Sequence, residues 1–202
     1  MMTNVYPMTI NHIFISPGHN YFGHKKPNKN KLGRVNMIEK TVVETSNAHE
    51  TYDVTEVQAR ANLGLEGDRF YGVRPDFDGQ VTFFAWEVYE LLMNELGLAD
   101  ESVVDLRRNI ITTGVPFNAL IGQEFTIGEV RFFGAKHCAP CSWMDTGLAP
   151  GALKLLKGRG GLRAQVLSDG RLYRGETTLE SAISLATDNT AILQRLERPR
   201  LP

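Results

Sequence analysis

Residues 106–145 read LRRNIITTGVPFNALIGQEFTIGEVRFFGAKHCAPCSWMD. Paired arginines run into Asn109-Ile110-Ile111-Thr112-Thr113, a β-branched run of strand character that stops in a turn from Gly114 to Pro116. A second strand-like run, Glu129-Val130-Arg131-Phe132-Phe133, empties into Lys136-His137-Cys138-Ala139-Pro140-Cys141. Both cysteines of the chain lie in that last segment. A thiol set beside cations is where thiolate chemistry becomes available.

The same alternation of short runs and turns extends to either side. His12–Ser16 is a short apolar run stopped by Pro17-Gly18; residues 37–44 and 51–58 are β-branched with partial alternation, and Val81–Phe84 reads as a further strand. Residues 160–167 alternate, and Ser168-Asp169-Gly170 predicts a hairpin turn that returns through Arg171-Leu172-Tyr173. Trp86, Val88, Tyr89, Leu92, Met93 and Leu96 have helical spacing, with Gly97 to close the helix. Shorter helices are expected within 148–156 and 181–196. Many short strands and few helices predict a mainly β (α+β) fold, a closed or partly open antiparallel β-barrel with a few capping helices, and argue against a doubly wound sheet. The expected organisation is one barrel domain over 1–176. A helical extension over 177–202 would then pack on the barrel or on a partner.

Composition bounds the function classes. The chain has 202 residues, enough for one domain with a proper core. A net charge of −1 gives no global field toward nucleic acid or membrane, so any anion site must be a local cluster. No run approaches the roughly 18 apolar residues of a membrane helix, and the start lacks the pattern of a secretory signal. Two cysteines make no disulfide framework, and the expectation is a reduced, cytoplasmic protein.

Strand periodicity would put Arg107 and Asn109 on one face and Arg108 on the other, at the surface. A guanidinium fork beside an amide suits a phosphate or the edge of a heterocycle; the alternative makes both arginines rim residues. Asp68-Arg69 lies in a glycine-rich turn, Gly64 to Gly72, that lacks the ending of a P-loop. It is either an internal ion pair or a pair facing a ligand. Arg159 and Arg163, with Gly158, Gly160 and Gly161, form a second candidate anion site. The segment 19–34, with His19, His24 and several lysines, reads as a solvated basic loop. Cys138-Ala-Pro-Cys141 is short of ligands for structural zinc. It leaves open a redox pair, a single working thiolate at either cysteine, or two inert thiols. Arg69, Arg107 and Arg163 would meet only if the chain curls into a barrel.

In order along the chain, Gly64-Leu65-Glu66-Gly67-Asp68-Arg69, Gln80-Val81-Thr82, Leu106-Arg107-Arg108-Asn109-Ile110, Asn118-Ala119-Leu120-Ile121-Gly122, Pro140-Cys141, Gly160-Gly161-Leu162-Arg163-Ala164 and Leu167-Ser168-Asp169-Gly170 resemble the MOSC domain, the C-terminal domain of molybdenum cofactor sulfurase. The resemblance covers roughly residues 12–176. It implies a β-barrel that binds the molybdenum cofactor (molybdopterin) and acts in sulfur carriage or in reduction of N-hydroxylated compounds. By motif, Arg107 and Asn109 match the family's Arg-x-Asn-Ile. Cys141 matches its Pro-Cys cysteine and is the expected persulfide carrier or metal ligand. Arg163, Arg69 and Asp68 complete the expected cofactor-binding set. In the amidoxime-reducing relatives the metal-binding cysteine lies further downstream, and none follows Cys141 here. The family's pyridoxal-phosphate sulfurase domain is unmatched, so a partner protein is expected to donate sulfur or electrons. The competing classes are a thiol-disulfide oxidoreductase using Cys138 and Cys141, and a binding barrel with inert thiols.

Overall fold

The structure, a computed structural model, describes residues 3–18, 40–43 and 51–197, with 40–43 as backbone alone. The basic loop 19–34, His19 and His24 included, lies outside the described residues. Alternating burial builds the strands: along Val130–His137, for example, Val130, Phe132 and Gly134 turn inward while Arg131 and Lys136 face out. In chain order the strands are β1 (Asn4–Ile15), β2 (Lys40–Val43), β3 (Thr51–Val54), β4 (Glu56–Arg60), β5 (Gly64–Leu65), β6 (Val81–Ala85), β7 (Ile110–Thr113), β8 (Glu124–Ile127), β9 (Val130–His137), β10 (Leu162–Val166), β11 (Gly170–Tyr173) and β12 (Gly175–Ser181).

Seven of them close on themselves in the order β1–β12–β8–β9–β10–β6–β7 and back to β1. Closure removes the unpaired edges an open sheet would present. Every pairing in the ring is antiparallel except β6–β7, which runs parallel with Phe83 opposite Ile110. A parallel pair needs a crossover. Here it is α1 (Trp86–Leu96) followed by a 3₁₀ turn over Asp100–Leu106. As the spacing predicts, α1 ends at Gly97, whose φ of 66° lets its N–H reach the Met93 carbonyl. The barrel is filled by Phe83, Phe117, Phe125 and Phe132, with ring centroids 5.1 to 5.7 Å apart. Each contributes about 1.5–3 kcal/mol by burial.

Two expectations are corrected. Ser168-Asp169-Gly170 makes no hairpin, because β9 and β6 already occupy both edges of β10. β11 pairs instead with β4 in a separate sheet, β11–β4–β5, and Asp169 accepts hydrogen bonds from the Ala61 N–H and the Arg60 guanidinium. The boundary expected after Glu176 falls inside β12, which pairs with both β1 and β8 and so completes the ring. The period of two decides this: Leu179 and Ser181 are buried while Thr178 and Glu180 face out. Among the described residues of the tail, helix is confined to one turn, Asn189–Ile192, capped by the Asp188 side chain. The tail lies against Gly158, whose carbonyl accepts from the Leu196 N–H and the Asn118 amide.

Candidate functional site

At one end of the barrel, chain segments far apart in sequence surround a cavity of about 290 Å³. Its walls include Arg69, Phe70, Thr82, Arg107, Cys138 and Cys141, with Arg163 at the side.

Arg107 reaches it by an unexpected route. It closes the 3₁₀ turn with φ 58°, a left-handed conformation, and its N–H donates to the Val104 carbonyl. Regular strand begins only at Ile110. Counting faces in twos from residue 107 therefore fails, and the order of the two arginines differs from the expectation. Arg108 is not at the surface: it is 8% exposed and forms part of the cavity wall. Its guanidinium donates to the carbonyls of Leu106, Gly160 and Cys138. Among the described residues it has no carboxylate partner, and its charge is met by three carbonyl dipoles. The Arg107 guanidinium sits 5.3 Å from the Trp143 ring centroid, within cation–π range.

Asn109 and Asp68 form a layer beneath. The Asn109 side-chain oxygen accepts from both the N–H and the hydroxyl of Thr82, at 3.1 and 2.8 Å. Its amide nitrogen donates to the Phe14 carbonyl and to Asp68 Oδ2, at 3.2 and 3.0 Å. Asp68 is wholly buried; it also accepts from the N–H groups of Ser16 and Phe70, and lies 3.7 Å from Arg69 Nη1. The structure thus brings Arg69, Arg107, Arg163 and Cys141 to one cavity and sets Asn109 and Asp68 behind it. The second candidate anion site does not assemble as a unit. Arg159 donates to the Leu193 carbonyl, and Gly160 and Gly161 serve close packing. A Cβ on Gly160 would lie 2.2 Å from the Cys138 carbonyl, and one on Gly161 2.1 Å from that of Phe83.

The two thiols differ in access. Cys138 is 3% exposed, held by its N–H to the Gly161 carbonyl and by its own carbonyl to Arg108, whereas Cys141 is exposed. Among the described residues no three histidine, cysteine or acidic side chains cluster to hold a bare metal ion. Phe70 and Thr82 were missed as cavity residues. Their positions beside Arg69 and within the Gln80-Val81-Thr82 motif were the available signals.

His137 ends β9 beside this site. Burial, the nearby Arg108 charge and, in the opposite sense, a hydrogen bond to the Gly161 backbone together push its imidazole below the ordinary value. Its Nδ1 is buried and has no hydrogen-bond partner among the described residues. Below the ordinary imidazole value of about 6.5 the unfolded chain takes up a proton that the folded protein resists, so stability present at neutral pH declines on acidification. Urea midpoints are expected to fall between neutral and mildly acidic pH in the native protein, and less steeply in His137→Gln.

The MOSC domain family model matches residues 67–178. Among solved structures, the YuaD protein from Bacillus subtilis superposes with a TM-score of 0.60 at 15% identity, covering 90% of this chain and 100% of that one. YiiM from Geobacillus stearothermophilus does so with a TM-score of 0.55 at 14% identity, covering 92% of this chain and 81% of that one. A hypothetical protein gives a TM-score of 0.51 at 21% identity, over 70% of this chain and 69% of that one. At these identities the likeness is one of fold. No curated protein matches the sequence.

Proposed function

Because the chain belongs to the MOSC domain family, whose members are associated with molybdenum cofactor binding or sulfur transfer, we propose that its arginine-walled cavity binds the molybdenum cofactor and that Cys141 is the working sulfur. The observation that carries this reading is the exposed Cys141 thiol sharing one cavity with Arg69, Arg107, Arg163 and the buried Arg108. The residues fit the group chemically. Guanidinium forks match a phosphate, and a soft thiolate matches molybdenum or sulfane sulfur. The cavity volume falls at the lower end of ordinary ligand sites.

When bound, the cofactor would supply a redox-active metal held by its own dithiolene. The chain's contribution is positional and electrostatic. Arg107, braced against Trp143, and Arg163 hold the anionic part of the ligand. Arg69 completes the positive wall, and its link to Asp68 fixes its direction. Cys141 presents sulfur from a short turn whose carbonyl accepts from the Met144 N–H, so the thiol sits at the mouth where a partner's sulfur can reach it.

Protein made in a host that synthesises the cofactor is expected to carry molybdenum and pterin fluorescence. Arg107→Gln should weaken retention roughly tenfold or more, the worth of a charge-assisted hydrogen bond. Purified native protein with neither molybdenum nor pterin refutes the reading. A second reading, thiol-disulfide exchange, is favoured by one observation, that Cys138 and Cys141 line the same cavity.

A further inference from the structure

The register of the barrel forces two cations together beside the cavity, whose wall includes one of them, Arg163. Lys136 on β9 and Arg163 on β10 are directly opposed in an antiparallel pair. Like charges facing across a ladder are destabilising unless an anion lies between them. One does. The Asp78 carboxylate pairs with Lys136 Nζ through Oδ2 and lies 3.9 Å from Arg163 Nη1 through Oδ1. Asp78 comes from the loop between β5 and β6, next to Gly79, which itself lines the cavity. At Gly79 a Cβ would lie 3.5 Å from Arg163 Nη1, so the loop runs close against that guanidinium.

The loop is anchored without help from Asp78. Gln80 donates to the Pro75 and Asn62 carbonyls, and Gln165 donates to the Asp76 carbonyl. Phe77 packs on Phe70 at 5.2 Å between centroids, and Arg74 lies over the Phe77 ring. Only the Asp78 side chain, 32% exposed, would have to turn away to free the two cations.

We propose that Lys136 and the cavity residue Arg163 form an anion seat at the edge of the cavity, occupied in the free protein by the Asp78 carboxylate, which an oxyanion of the incoming ligand displaces. Asp78 is then a specificity-determining residue. A monoanion replacing a carboxylate gains little, whereas a phosphate-type dianion replaces one charge with two. The proposal rests on the reading that the cavity receives an anionic ligand, and it adds which residue that ligand must displace.

The test is calorimetric titration of inorganic phosphate, and of acetate as a monoanion, at mildly alkaline pH. The proteins are the native one, Asp78→Asn, Asp78→Ser, the double variant Asp78→Asn with Lys136→Gln, and Arg107→Gln. The native protein should bind phosphate but not acetate. Both Asp78 variants should bind phosphate roughly three- to tenfold more tightly, the scale expected from releasing two partly exposed ion pairs. The added Lys136→Gln should cancel that gain. Unchanged or weaker phosphate binding in both Asp78 variants, with native binding intact and lowered by Arg107→Gln, overturns this proposal and leaves the anion-binding cavity standing. Failure of every form to bind phosphate overturns both.

Discussion

Cys141→Ser is expected to abolish loading with molybdenum or sulfane sulfur, a loss of at least about a hundredfold, since outer-shell changes alone cost up to that much. Cys138→Ser is expected to keep it. The two substitutions are chemically identical, so the difference has to come from position. Cys141 is exposed at the mouth of the cavity, within reach of a donor protein. Cys138 is 3% exposed, its backbone held on one side by the Gly161 carbonyl and on the other by Arg108. A hydroxyl at Cys138 should register instead in stability, at about 1–3 kcal/mol for a buried polar group short of a partner. Metal and labile-sulfur analysis of the purified variants separates the outcomes. Equal loss from both, with a Cys138–Cys141 disulfide on oxidation, would transfer the function to thiol-disulfide exchange. Equal retention would make both thiols inert.

What could be read from the sequence follows how local its physical cause is. Helix α1 was legible because its apolar spacing and its closing glycine lie within the element. Several barrel strands were legible as short β-branched runs, but β12 was read as part of a helical extension and only the end of β1 was seen. Strand partners were not legible, since pairing depends on which edges the rest of the ring has already taken. That is why Ser168-Asp169-Gly170 read as a hairpin and instead delivers β11 to β4. The arginine pair failed for a different reason: one residue in the left-handed region, Arg107 at φ 58°, resets the face count before the strand starts. Ordered motifs pointed to Arg69, Arg107, Arg163 and Cys141 without saying how close they lie; only closure of the barrel makes them share a wall. Asp78 carried no signal at all, because its meaning depends on the opposition of Lys136 and Arg163 across two strands distant in sequence.

Asn109→Ala is expected to cost about 3–5 kcal/mol, the scale of losing one hydrogen bond to a buried carboxylate together with two or three neutral ones. That is a large part of the roughly 5–15 kcal/mol that holds a domain together. Asn109 joins three segments through one amide: β1 at Phe14, the glycine-rich turn at Asp68, and β6 at Thr82. Alanine takes the acceptor from the Thr82 N–H and hydroxyl, the amide donor from the Phe14 carbonyl and, most expensively, one donor from a carboxylate with no exposure to water. Asn109→Asp should be no gentler, for it keeps the acceptor toward Thr82 but sets a second carboxylate against Asp68. Urea midpoints give the stability, and phosphate titration of the folded fraction gives the affinity. With Arg69, Arg107 and Arg163 still in the cavity wall, the folded fraction should bind phosphate nearly as well as native protein. If instead stability falls by less than about 1 kcal/mol, no more than a single ordinary hydrogen bond, while phosphate affinity collapses, then Asn109 touches the ligand and the scaffold role assigned to it here is wrong.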